Sequence, residues 1–198
     1  FPTKNITTGE GGMFTTDDDA LASKIRALIA HGIDKTTFQR DKENINWFRT
    51  AAIAGFNFRL SNILAAMGVE QMKKLDGMNH ARRANSFYLT DKLKNVEEID
   101  LPIENLQCEH VYQMFTIKVK KGDRDNIVLK LREQGVEASV HFDPPVHLQP
   151  AYSDYNSVLL PVTDKVAKTI LTLPMFPQLK RSQLDKVITS TKNCFKNG

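Results

Sequence analysis

An α/β fold is what this 198-residue sequence predicts. Segments with alternating apolar residues, suited to strands, take turns with segments whose apolar residues recur at helical spacing. Glycines and capping residues stand at the joints. Apolar residues make up 41% of the chain and charged residues 25%, ordinary proportions for a sequence that buries a core. The length suits one large domain or two small ones.

The chain opens on Phe1-Pro2-Thr3-Lys4-Asn5-Ile6-Thr7-Thr8-Gly9-Glu10-Gly11-Gly12, one lysine before a glycine turn. A lysine amine attacks carbonyls once it is deprotonated and positioned. Local sequence leaves two readings open: a nucleophile, or a solvated lysine before a hairpin. Met13-Phe14-Thr15 reads as a short strand. Thr16 or Asp17 then caps a helix, with Asp18 and Asp19 at the positive end of its dipole. Leu21, Ile25, Leu28 and Ile29 give that helix an apolar face, His31 lies in its last turn, and Gly32 ends it. Residues 33–50 read as a long polar loop around Phe38, Trp47 and Phe48. Gly55-Phe56-Asn57-Phe58-Arg59-Leu60-Ser61 leads into a second helix, capped by Ser61 or Asn62. Leu75-Asp76-Gly77 reads as a joint before a third helix, about Asn79 to Lys94. Arg82 and Arg83 read as its solvated face, and Pro102 closes this part. The domain boundary therefore falls near residues 76–80, giving 1–78 and 79–198, with residue 105 as the alternative.

Val111, Phe115, Ile117 and Val119 then alternate with polar residues as in a strand. Lys120-Lys121-Gly122-Asp123 is a turn, and Asp123 caps a helix with Ile127, Val128 and Leu131 inward. Gly135 stops it. Val136 to Phe142 reads as a further strand, broken by Asp143-Pro144-Pro145-Val146-His147. Thr163 is the expected cap of the next helix, and Leu171-Thr172-Leu173 makes a short strand. Ser182-x-x-Asp185 suggests a capping box opening the last helix.

Charge and composition exclude several functions. The net charge of +4 comes from 27 basic and 23 acidic residues, with no basic run interleaved with aromatics, so no nucleic-acid surface is indicated. No stretch has the apolar length of a membrane span. Cys108 and Cys194 lack metal or CxxC spacing and read as reduced thiols of a cytoplasmic protein. His141 and His147, with Asp143 between them, lack the third ligand a metal site needs.

Three segments together resemble one family. Thr3-Lys4-Asn5-Ile6-Thr7-Thr8-Gly9-Glu10-Gly11-Gly12-Met13 is similar to the lysine motif of the DegT/DnrJ/EryC1/StrS aminotransferases, which use pyridoxal 5′-phosphate (PLP). Gly55-Phe56-Asn57-Phe58-Arg59-Leu60-Ser61, with Ala65-Ala66 and Gln71, resembles the second signature, Phe58 standing where the family usually has Tyr. Gly135-Val136 through His141-Phe142-x-Pro144-x-x-His147 resembles the third, with Phe142 in a usual Tyr position. Order and spacing agree across essentially the whole chain.

The resemblance implies PLP-dependent transferase fold type I, aspartate aminotransferase-like. Residues 1–78 would be the end of the PLP-binding large domain and 79–198 the small C-terminal α/β domain. Lys4 would be the Schiff-base lysine and proton shuttle. Asn57 would contact the PLP phosphate of a neighbouring subunit, making a homodimer with a shared active site, and Arg59 would hold that loop in place. His141 and His147 would lie near the acceptor's sugar or phosphate. The implied reaction moves an amino group, from glutamate, to a nucleotide-linked keto-sugar for cell-surface polysaccharide or amino-sugar biosynthesis. Relatives that dehydrate sugars carry His in place of the lysine, so Lys4 favours transamination. The family's chain is about twice this long, and its first half carries the Asp that pairs with the pyridine nitrogen. This sequence is therefore expected to be the C-terminal half, inactive by itself. The alternative is an inactive remnant or a regulatory and assembly module of the same fold.

Overall fold

The computed structural model describes residues 1–35, 37–44 and 47–196, apart from the side chain of Thr37. The chain falls into two compact units, 1–73 and 74–198.

In the first unit Asp18, rather than Thr16 or Asp17, caps helix α1 (Asp19–Ile29), its carboxylate accepting from the Leu21 amide at 3.0 Å. Asp19 occupies the first turn and Arg26 the last, each favoured by the helix dipole. Past the helix the backbone turns left-handed at His31 and Gly32. The expected strand at Met13–Thr15 does not form; these residues are irregular, and Met13 and Phe14 are exposed. A strand needs a partner's ladder, and among the described residues none runs beside them. The supposed loop of residues 33–50 contains a short helix, α2 (Thr37–Lys42).

A single helix, α3, runs from Asn62 to Leu93. It replaces the two helices and the joint expected at Leu75-Asp76-Gly77. Ser61 Oγ accepts from the Leu64 amide at 3.3 Å near its start. Glycine weakens a helix interior by about 1 kcal/mol relative to alanine. That is too little to break a helix whose neighbouring turns are intact, and no proline interrupts it.

The second unit holds a three-stranded antiparallel sheet in the order β1-β2-β3: β1 (Ile99–Asp100), β2 (Phe115–Val119) and β3 (Ile170–Leu173). Ile99 pairs with Val119, and Phe115 with Leu173. In β2 the residues Phe115, Ile117 and Val119 are buried while Lys118 is exposed, the alternation expected of a half-covered sheet. Val111 lies outside this strand. Helices α4 (Arg124–Glu133) and α6 (Arg181–Lys196) pack together, and their Leu131, Leu184 and Val187 join Leu89, Phe115 and Leu173 in one core. The expected strand Val136–Phe142 is reduced to one bridge, Ser139 to Thr172.

Helix starts depart from expectation in instructive ways. Asp123 caps α4 through the Asp125 amide, as expected. Helix α5 (Pro161–Thr169) begins two residues before Thr163 because Pro161 fits the first turn, where its missing N–H costs nothing. The Ser182–Asp185 box does not form. Gln183 Oε1 instead accepts from the Lys180 amide at 2.9 Å, and Asp185 accepts from the Tyr88 hydroxyl. Arg82 and Arg83 are not a solvated face. Arg82 is buried, donating to the carbonyls of Tyr112, Gln113 and Met175, while Arg83 binds Glu104 and the His110 carbonyl.

Candidate active site

Lys4 is exposed and lines a cavity of about 410 Å³ in the first unit. Residues of the two motifs meet there: Thr7, Thr8 and Gly11 from the lysine stretch, and Leu60, Ala65, Gly68 and Gln71 from the stretch after Asn57. The lysine loop folds on itself, with Thr7 Oγ1 accepting from the Gly9 amide and the Thr8 hydroxyl donating to the Glu10 carbonyl, both at 2.9 Å. Gly9 has φ +88°, a conformation in which glycine avoids the Cβ clash. Gln71 ties the loop to α3 by accepting from the Thr7 amide at 3.4 Å. Close packing explains Gly68, since a Cβ there would sit 3.2 Å from the Thr8 methyl. Gln71 is the partner that residue-by-residue reading did not assign; its position in the second motif was the available signal.

These surroundings suit the aldehyde end of PLP, which needs an accessible amine beside small residues and hydroxyls. No aspartate or glutamate lines the cavity among the described residues, so no carboxylate here faces a ring nitrogen.

Asn57 does not line the Lys4 cavity. Its segment is pinned to the end of α1 by backbone bonds: Phe56 N–H to Leu28 O (2.6 Å), Phe58 N–H to Ile29 O (2.9 Å) and His31 N–H to Phe56 O (2.8 Å). The two segments touch at paired glycines. A Cβ on Gly55 would lie 2.1 Å from the Gly32 nitrogen, and one on Gly32 would lie 1.7 Å from the Ile53 carbonyl oxygen. The rings of Phe56 and Phe58 stack at 4.9 Å, leaving Asn57 between them in sequence and exposed. Backbone pairing holds this loop, and among the described residues the Arg59 side chain adds no hydrogen bond or ion pair to it.

In the second unit His141 and His147 share a cavity of about 800 Å³ with Phe142, Tyr152 and Tyr155. His141 Nδ1 lies 3.2 Å from Thr172 Oγ1 and 3.4 Å from Ser139 Oγ. His147 is buried, its Nε2 3.1 Å from Asp164 Oδ1. Arg124 anchors the intervening loop by pairing with Asp143, while donating to the carbonyls of Ala167 (2.9 Å) and Ile170 (3.0 Å) at the end of α5. Nothing in the sequence signalled Arg124, because apart from neighbouring Asp125 its partners lie 19 to 46 residues away. Among the described residues no group of three or more His, Cys, Asp or Glu is placed to hold a metal ion. None of their helices is long and apolar enough to cross a membrane.

Known proteins are similar to this chain in sequence and in fold. A curated relative, the spore coat polysaccharide biosynthesis protein SpsC of Bacillus subtilis, is 30% identical over 99% of this chain and 52% of its own length. GDP-perosamine synthase of Caulobacter vibrioides is 33% identical over 96% of this chain and 49% of its own. The solved structure of S. venezuelae DesV superposes with a TM-score of 0.84 at 26% identity, covering all of this chain and 51% of that one. The chain thus spans about half the length of the relatives it matches, and its fold is PLP-dependent transferase fold type I. The family profile matches residues 1–192, and the chain belongs to the DegT/DnrJ/EryC1/StrS aminotransferase family.

Proposed function

We propose that this chain supplies the lysine of a PLP-dependent aminotransferase that moves an amino group from glutamate to a nucleotide-linked keto-sugar, in cell-surface polysaccharide or amino-sugar biosynthesis. The observation that carries this reading is Lys4 at a cavity built jointly by the two motifs, its loop fixed by Gln71. PLP, when bound, supplies an electron sink for the carbon that gains or loses the amino group. Lys4 Nζ would hold the cofactor and carry the proton. Asn57, exposed on a strapped segment, is free to reach a neighbouring subunit's cofactor phosphate in a homodimer. His141 and His147, with aromatic rings beside them, would line the acceptor's sugar or phosphate region. Residues 1–78 would then close the large domain and 79–198 form the small one. The unpaired Cys108 and Cys194 suit a reducing cytoplasm.

A second reading, an inactive module of the same fold, draws on the described residues of the Lys4 cavity, which include no carboxylate. One experiment separates them. Borohydride reduction of the chain with PLP, followed by peptide mapping, should fix the label on Lys4, and Lys4→Ala should remove it. Labelling spread evenly over other lysines would sink the aminotransferase reading.

A further inference from the structure

The two faces of the sheet in the second unit differ. Phe115 and Ile117 of β2, paired with Leu173 and Leu171 of β3, belong to the core. Side chains alternate along a strand, so Thr116 and Thr172 share the opposite face. They pair in the register, and their hydroxyl oxygens lie 3.0 Å apart. The rest of β3 is Ile170, Leu171 and Leu173, all buried, and Thr172 itself is 6% exposed. A hydroxyl buried in an apolar strand needs partners. Thr172 finds them in the stretch that ends at His141. Its amide and carbonyl exchange hydrogen bonds with those of Ser139, at 2.8 and 3.0 Å, and its Oγ1 lies 3.2 Å from His141 Nδ1. Ile170, two residues earlier on the same face, lines the cavity that His141 also lines.

We infer that Thr172 is the positioning residue of His141. A hydroxyl donates one proton, which gives the row Thr116, Thr172, His141 a direction. With Thr116 donating to Thr172 and Thr172 donating to Nδ1, both threonine protons have acceptors. In the reverse direction the Thr116 proton has no acceptor among the described residues. The first direction makes Nδ1 an acceptor and puts the proton of the neutral imidazole on Nε2. Ser139 Oγ, 3.4 Å from Nδ1, stands beside the same nitrogen. Nδ1 is thus occupied by the sheet, and Nε2–H is the ring group left to donate to a ligand in the cavity. That the ligand is the keto-sugar rests on the function proposed above; the anchoring of the ring does not.

The test is a ring-nitrogen NMR spectrum of the isotope-labelled 198-residue chain, at a pH where its five histidines are neutral, with His141→Gln identifying the signals of that ring. His141 should show an unprotonated Nδ1 and a protonated Nε2. Thr172→Val keeps the side chain's shape and the backbone pairing and removes the hydroxyl. It should lower the ratio of the Nε2–H to the Nδ1–H tautomer about fivefold, the scale of one neutral hydrogen bond, and leave His147 unchanged. Thr172→Ser should restore the ratio. Thr116→Val should lower it by less, since it removes only the hydroxyl behind Thr172, and it keeps the inference testable if Thr172→Val does not fold. A protonated Nδ1 in the native chain, an unaltered His141 ratio in either valine variant, no recovery with Thr172→Ser, or an equal change at His147 would overturn the inference. Lys4 labelling with an unaltered His141 ratio sinks this inference alone, and a Thr172-dependent ratio without Lys4 labelling sinks the proposed function alone.

Discussion

Arg82 carries a positive charge into the second unit and spends it on three backbone carbonyls, those of Tyr112, Gln113 and Met175, at 3.1–3.2 Å. Only 6% of the residue remains exposed, and burial pushes its guanidinium below the usual arginine range. Such a residue looks in sequence like any other helix cation, since its acceptors come from segments 30 to 93 residues away. Removing the donor leaves carbonyls unpaired in a desolvated place. Arg82→Met, which keeps length and loses the hydrogen bonds, should therefore cost about 3 kcal/mol of stability. Urea unfolding followed by circular dichroism gives the number; a loss within about 0.5 kcal/mol, as for an ordinary surface site, would mean that the carbonyls find other partners. Lys4 differs in kind. Its motif was legible as residue types, and its chemistry depends on a cavity whose lining combines positions from 1 to 72.

Helix α3 shows where local propensity is outvoted. Asp76-Gly77 weakens a helix, which is why the sequence suggests a joint there. Propagation adds a hydrogen bond for each residue fixed, so an established helix runs through one weak position. Nothing lies within 4 Å of the place a Cβ on Gly77 would occupy. Gly77→Ala should therefore stabilise the chain by about 0.5–1 kcal/mol, read as a raised midpoint in thermal unfolding. A lowered midpoint would show that the helix needs glycine there for a contact outside this chain. Gly32 and Gly55 are the opposite case, where two backbones touch and no side chain fits between them. The same sequence reading that flagged Gly32 as a helix stop could not see Gly55 across from it.

At the scale of the molecule, burial is uneven. Among the described residues the first unit buries one apolar side chain, Ala27, whereas the core around Phe115, Leu131, Leu171 and Leu173 belongs to the second. Amides that open only with the core exchange slowest. Hydrogen exchange should accordingly protect β2, β3 and α4 well beyond α1 and the 55–58 segment. Equal protection of both units would contradict this division of stability. By itself the sequence determined the family, the α/β class, the candidate lysine and a few helix ends such as the Asp123 cap of α4, because these follow from residue types at short, fixed spacings. Tertiary structure decided which expected strands found a ladder, that α3 is continuous, that Arg82 is buried, and where Gln71 and Arg124 find their partners. Those outcomes depend on contacts between residues far apart in the chain, and periodicity along the chain carries no record of them.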